Sequence, residues 1–372
     1  MVYETAEMHG DHELVLKSAM TTVKPALPMH EHRLPLSNLD LLLPALDVSV
    51  FFCYLHPAPT ASALKEALAK VLVTYYPLAG EVVANAEVRL ALPDESAEKL
   101  VPAKKAGVIS VQVTKFKCGG PSSDARSTTG SATPTPSTCS TSPGPLHPVE
   151  QREYHVAAHD VATLHASAGP GRTKLEAFTA HLWQLCSMAA SGHQRLCCMG
   201  MVVDGRARMF PDGAMKAYFG NVLTIPYGVI GTDELRRSMT LADVADDVHR
   251  WVREAATGEH FRGLIDWVEA LRPKPAVARA YLGGTGGSEA MACFVSSGMG
   301  FPVGEADFGT GLPAFASYHF PWPADTGYIM PMPSARGDGD WVVYVHAVPE
   351  LVKVMEEEPS VFKALENSYV LG

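Results

Sequence analysis

The sequence predicts a mixed α/β or α+β fold, and three observations lead there. Segments with helical period and segments with strand period are interspersed along the chain. They follow no strict strand–helix–strand rhythm, as a doubly wound parallel sheet would. Hydrophobic residues make up 47% of the 372 and charged residues 19%, the balance of a chain that can bury a sizeable core.

The elements are read in order. Ser62 to Tyr76 sets Leu64, Leu68, Val71, Leu72 and Tyr75 on one helical face, and Pro77 and Gly80 end the pattern. Val108 to Phe116 alternates apolar and polar residues, as a half-buried strand does. Thr173 and Glu176 have the spacing of a capping box, opening a helix that turns Leu175, Phe178, Leu182 and Leu185 inward. Leu196 to Val203 is a continuous apolar strand, and Leu241–Ala256 and His260–Leu271 are two amphipathic helices. Trp341 to His346 reads as a late strand, and Pro349 to Leu365 as helical pieces broken at Pro359.

Charge and cysteine usage exclude several classes. A net charge of −10 without a basic stripe argues against nucleic acid, which needs clustered Lys and Arg. The seven cysteines are odd in number and lack a CxxC pair, so they read as reduced thiols of a cytoplasmic protein. Leu39 to Leu55, the most apolar run, is broken by Pro44 and Asp47 and is too short to span a bilayer. No apolar core marks residues 1–20 as a signal peptide.

Several chemical motifs fail on inspection. Gly283-Gly284-Thr285-Gly286-Gly287 lacks the Lys-Ser/Thr of a phosphate loop. His30-Glu31-His32 has no third ligand at zinc spacing, so no metal is expected. No GxSxG elbow is present. His181 and His249 fall on helices and read as packed or solvated residues.

The informative pattern is spread along the chain. Leu36-Ser37-Asn38-Leu39-Asp40 is followed by Tyr75-Tyr76-Pro77-Leu78-Ala79-Gly80, then by Val111-Gln112-Val113-Thr114 and Cys118-Gly119-Gly120. Val203-Asp204-Gly205-Arg206, Tyr218-Phe219-Gly220-Asn221 and Asp307-Phe308-Gly309-Thr310-Gly311 complete the series. Any one is weak. In this order they resemble the landmarks of the plant BAHD acyltransferases, with Thr310 standing for the Trp of the DFGWG signature. The tail from Tyr318 to His346 is similar to the coniferyl-alcohol and shikimate hydroxycinnamoyl branch.

The resemblance implies two chloramphenicol-acetyltransferase-like domains, at residues 1–149 and 150–372, with the first missing strands. It implies transfer of an acyl group from acyl-CoA, as co-substrate, to a hydroxyl or amine of a small specialised metabolite. No bound cofactor, metal, nucleic acid or membrane is implied, and the family works as monomers. Its base is the His of an HxxxD motif just after the Gly119-Gly120 position. An imidazole with a pKa of about 6.5 can take the acceptor's proton near neutral pH. The freed nucleophile then attacks the thioester carbonyl, and nearby donors stabilise the oxyanion. Ser296 and Ser297 stand where the family has hydroxyls lining the acyl site, so they are candidate donors or strand-end caps. Gly298 replaces the Trp expected beside them. Asp204 and Arg206 are expected to be structural, Tyr218 and Asn221 to line the domain interface, and residues 307–311 to be structural.

The departure lies between. No His in the chain has Asp four residues later. Residues 119–145 are a Ser/Thr/Pro/Gly tract, too polar to offset its own ordering entropy. One reading is a linker between domains. Another is a shifted frame. Taking the last base of each codon with the first two of the next, Pro121–Pro145 admits Val-Val-Gly-Cys-Thr-Phe-Asp-His-Arg-Val-Cys-Asp, followed by an apolar run. The His falls at the Thr128–Thr129 junction and the Asp at Ala132–Thr133. Two shortened stretches, near Asn85–Glu87 and before Tyr154, fit the same damaged or mis-spliced gene. Three function classes follow: an acyltransferase, a non-catalytic remnant or ligand-binding pseudoenzyme, and a scaffold. The scaffold has no heptad or repeat behind it.

Overall fold

The computed structural model describes residues 2–5, 8–9, 13–14, 19–30, 34–42, 49–54, 59–79, 111–114, 149–218, 220–272, 274, 289–302, 305–319 and 326–365. The tract at 119–145 and the glycine cluster at 283–287 lie outside them, as do Glu31 and His32.

The first part of the chain holds β1 (Val2–Thr5), β2 (Met8–His9), β3 (Glu13–Leu14), β4 (Ala19–Thr21), β5 (Ser49–Cys53), α1 (Ala61–Thr74) and β6 (Val111–Thr114). β1 sits between antiparallel β4 and parallel β6. Thr60 caps α1, its hydroxyl accepting the Ala63 N–H at 3.2 Å. Leu64 and Leu72 are buried, but Val71 and Tyr75 are 44% and 36% exposed. The inward stripe is therefore narrower than the sequence suggested. Leu64, Leu68 and Leu72 recur every fourth residue, and Leu68 packs beside Leu64.

The larger unit begins with β7 (Glu150–Val156), α2 (Ala158–Ser167) and α3 (Lys174–Ala189). It continues through β8 (Leu196–Met201), β9 (Val203–Asp204), α4 (Arg206–Met209), β10 (Leu223–Thr224) and β11 (Tyr227–Gly231). Three helices follow, α5 (Thr232–Arg237), α6 (Leu241–Ala255) and α7 (Gly258–Leu271). The unit closes with β12 (Ala290–Val295), β13 (Phe315–His319), β14 (Gly327–Pro333), β15 (Trp341–Ala347), α8 (Pro349–Glu356) and β16 (Lys363–Ala364).

Seven of these strands form one mixed sheet, in the order β11-β8-β12-β14-β15-β7-β16. β12 runs parallel to both β8 and β14, while β11, β15, β7 and β16 join their neighbours antiparallel. Alternation along each strand divides the side chains between two faces. Cys293, Val295, Ile329, Val343 and Val345 pack against Phe178, Leu182 and Trp183 of α3. Phe294, Tyr328, Met330, Met332 and Tyr344 point the other way, toward Ala316 of β13 and Val50 and Phe52 of β5. β5 and β13 pair antiparallel, with Phe315 opposite Cys53 and His319 opposite Ser49, so a strand from each part of the chain builds this ribbon.

α3 keeps its capping box: Thr173 Oγ1 accepts the Glu176 N–H at 3.1 Å, and Glu176 Oε2 accepts the Thr173 N–H at 2.7 Å. Two readings need correction. The apolar run at Leu196–Val203 is not one strand; β8 stops at Met201, and β9 changes partner to β10. Beyond Pro359 the chain is not helical. Lys363–Ala364 pairs with β7, because α8 ends at Glu356 and a free edge lies beside it. Cys53, Cys186, Cys197, Cys198 and Cys293 are free thiols. Among the described residues, no helix is long and apolar enough to cross a membrane. Nor does any group of three or more His, Cys, Asp or Glu among them suit a metal ion.

Candidate active site

The inner face of the sheet, toward β5 and β13, carries one of the candidate residues, Ser296. Past the end of β12 the chain continues the pairing with β14: Ser296 N–H donates to Ile329 O and Gly298 N–H to Pro331 O, each at 2.9 Å. That register turns Ser296 to the face carrying Phe294 and Met330, and it is half-buried there. Ser297 points the opposite way and is exposed, its Oγ accepting the Met299 N–H at 3.4 Å. Of the two serines, only Ser296 shares the inner face.

Gly298 is held where no side chain fits. A Cβ added there would stand 2.5 Å from Met332 Cγ and 2.7 Å from Met330 Cε. The two methionines occupy the space in which an indole at this position would need to pack.

The other sequence landmarks hold the first part of the chain to the sheet unit. Asp40 is buried, and its Oδ2 accepts the Ser37 N–H at 3.0 Å and hydroxyl at 2.6 Å. Its Oδ1 accepts the backbone N–H of Asn221 at 2.7 Å. Asn38 donates to Ile265 O and Glu269 Oε2 on α7, and Arg272 donates to Asn38 Oδ1 at 2.6 Å. Leu39 and Leu42 complete this seam against Val222, Phe261 and Val268. Asn221 thus meets the first part through its main chain. The Tyr218 side chain is 38% exposed, and its carbonyl accepts from Arg206 Nε at 3.4 Å. Arg206 also pairs with Asp204 at 2.7 Å and with the Gly220 carbonyl, bracing the loop that carries Asn221.

The Asp307–Gly311 turn is a second tether. Asp307 Oδ1 accepts three N–H groups, from Gly309 at 2.7 Å, Thr310 at 3.1 Å and Gly311 at 2.9 Å. The bonds from Gly311 and Gly309 hold its carboxyl below the usual range. Gly309 and Gly311 have φ of 90° and 103°, the left-handed region where a side chain is strained. So folded, the turn presents Phe308 edge-on to Tyr54, with ring centroids 6.1 Å apart, and beside Leu64 of α1. Tyr54 donates its hydroxyl to Ala306 O at 2.7 Å, and desolvation pushes its pKa well up. Thr310 Oγ1 is buried without a hydrogen-bond partner.

The helical histidines are structural. His249 Nδ1 lies 2.9 Å from Glu176 Oε1, and His181 stacks on Phe362. The residues at the HxxxD locus, Thr128, Thr129, Ala132 and Thr133, lie outside the described residues.

A family model described as the Transferase family matches residues 15–93 and 148–362. The chain belongs to this family, the BAHD acyltransferases. The match of this BAHD acyltransferase omits residues 94–147, the interval that contains the Ser/Thr/Pro/Gly tract. The chain is 26% identical to putrescine hydroxycinnamoyltransferase 1 of Oryza sativa subsp. japonica, over 88% of this chain and 93% of that protein. That alignment runs over 428 positions against a chain of 372, so stretches of the relative have no counterpart here. Shikimate O-hydroxycinnamoyltransferase of Nicotiana tabacum is 24% identical, over 91% of this chain and 97% of that one. The fold is similar to that of vinorine synthase, with a TM-score of 0.66 at 16% identity, covering 92% of this chain and 98% of the other.

Sequence reasoning quoted the Leu36–Asp40 landmark without giving it a role. The signal was available: a Ser three residues before an Asp suits a capping turn. Nothing in the sequence singles out Glu153 on β7. The strand reads Glu-Gln-Arg-Glu-Tyr-His-Val, which looks like a solvated surface.

Proposed function

We propose that the protein is an acyltransferase that moves an acyl group from acyl-CoA to a hydroxyl or amine of a small metabolite. The observation that carries this is the family match on both sides of residues 94–147, with relatives of nearly full length that are hydroxycinnamoyltransferases. In this reading the acceptor loses its proton to an imidazole encoded at the Thr128–Thr129 junction in the displaced frame. The acceptor's oxygen or nitrogen then bonds to the thioester carbonyl carbon. The tetrahedral oxyanion takes a hydrogen bond from Ser296, and as it collapses the carbon–sulfur bond breaks and the imidazolium returns its proton to the sulfur, releasing CoA as the thiol. The β5–β13 ribbon supports this role by laying a strand of the first part of the chain against the face that carries Ser296. Monomeric action in the cytoplasm belongs to the same reading, and the absence of a disulfide among the five described cysteines supports the compartment.

The chain as written favours a second reading, a non-catalytic remnant, because no His in it is followed by Asp at the fourth position. A thiol-release assay separates the two. Hydroxycinnamoyl-CoA is offered with mixed alcohols and amines to the chain as written and to one carrying the displaced-frame reading of 121–145. Restoration of the imidazole is expected to raise turnover by about 10²–10⁴-fold, the usual contribution of a general base. Equal rates from the two chains would remove the His-based mechanism. No turnover from the restored chain with any acceptor would remove the acyltransferase reading.

A further inference from the structure

Strand β11 is one edge of the seven-stranded sheet, bonded to β8 on one side and to no strand on the other. The ladder fixes which of its groups are used. Met201 N–H donates to Pro226 O and Thr232 N–H to Arg195 O, so the even-numbered residues carry the bonds to β8. Antiparallel pairing alternates, which leaves the odd residues at the unbonded positions, Tyr227 opposite Gly200 and Val229 opposite Cys198. The N–H and C=O of Tyr227 and Val229, and the N–H of Gly231, therefore point off the sheet. None of these groups has a partner among the described residues.

An open edge invites another strand, and proteins block one with charge, proline or a bulge. β11 has none of the three. It reads Tyr-Gly-Val-Ile-Gly and keeps an unbroken register with β8 over its whole length. Tyr227 and Val229 are 37% and 42% exposed, so the side chains beside the free groups are apolar and accessible. The strand is also firmly seated. A Cβ added at Gly228 would stand 2.6 Å from the Trp183 ring and 2.9 Å from Trp251 Nε1, so β11 lies hard against the helix layer. The opposite edge of the sheet, β16, is only two residues long.

Length and register point to the occupant. Pro226 closes the open stretch at one end and α5, starting at Thr232, closes it at the other. A twofold axis through Val229 lays this bounded stretch antiparallel on itself without overhang. Val229 then exchanges both main-chain bonds with the same residue of a second copy, and each Gly231 N–H reaches the opposite Tyr227 carbonyl. Each Tyr227 ring covers the opposite Gly231, an aromatic side chain over a position that has none. The strand carries no charge, so nothing in it repels its own copy.

We propose that β11 is a docking edge for a second copy of this chain, the two β11 strands pairing antiparallel about Val229 into one continuous sheet. This goes beyond the acyltransferase reading and leaves it intact. The face that carries Ser296 lies within each copy, so a single copy remains the catalytic unit.

Analytical ultracentrifugation of the full chain over a concentration series tests the pairing. Sedimentation is expected to move from monomer toward dimer as concentration rises. Val229→Lys sets two ammonium groups opposite each other and should raise the dimer dissociation constant by about tenfold or more. Val229 is exposed, so this variant should melt with the parent at a dilution where both are monomers. Val229→Cys reads the register. With glutathione disulfide as oxidant, the two cysteines lose two protons and two electrons to form one intermolecular disulfide, and the oxidant is reduced to two glutathiones. Asp233→Cys, exposed but away from the axis, is the control and should cross-link far more slowly. A chain that stays monomeric up to its solubility limit overturns the proposal. So does a dimer unchanged by Val229→Lys, or cross-linking no faster at position 229 than at 233.

Discussion

Replacing Glu153 by Gln should make the protein more stable, and the gain should grow with pH. Burial lifts its carboxyl from 4.5 to about 7 in the folded state, so in that interval the folded protein keeps a proton that the unfolded chain has released. Stability therefore falls as pH rises through the window and stays low above it. The full difference is roughly 3 kcal/mol, from a shift between 4.5 and about 7 at ~1.4 kcal/mol per unit. Most of it falls between about pH 5 and pH 8.5. Glutamine has nearly the same shape, cannot ionise and can bond to Ser317, so the variant lacks this term. Urea denaturation of both proteins at the two pH values reads the effect, because other titrating groups cancel in the difference. The parent should lose about 2–3 kcal/mol more than the variant over that range. Parallel pH dependences would refute the claim that the carboxyl is desolvated.

Three further substitutions probe the tethers and the inner face. Asp40→Ala removes the acceptor of the Asn221 N–H and both Ser37 donors, and should lower stability by about 2–3 kcal/mol in urea denaturation. Faster hydrogen exchange at 34–42 should accompany it. Gly298→Trp overpacks Met330 and Met332 and should lower stability by about 1–3 kcal/mol, with partial recovery on adding Met332→Ala. Gly311→Ala meets no neighbouring atom within 4 Å, so its loss comes from backbone conformation alone, about 1–2 kcal/mol by thermal unfolding.

The helices were legible because their signals are local. The Thr173–Glu176 box and the apolar spacing after it mark α3 without reference to the rest of the molecule. The sheet was less legible. β14 contains Pro331 in a central strand, where a missing N–H argues against a strand assignment. β7 places Gln, Arg, Glu and His beside Tyr154 and Val156, and only its neighbours show that the Glu153 carboxyl is desolvated. The order β11-β8-β12-β14-β15-β7-β16 depends on pairings between distant segments, which periodicity does not record. For the site, the short signatures marked real contacts, but their meaning was tertiary. Asp40 and Asn221 are 181 residues apart and meet through one hydrogen bond. Gly298 could be noted as a departure, but its reason, the two methionines filling the space, is visible only in the packing.

The central claim is that the missing proton acceptor is encoded at the Thr128–Thr129 junction in a frame displaced by one base. Sequencing the transcript across codons 119–146, together with mass spectrometry of peptides from the native protein, tests it most directly. A message that restores His-Arg-Val-Cys-Asp is expected, with peptides to match. An intact message encoding the Ser/Thr/Pro tract, with tract peptides recovered from the protein, would contradict it.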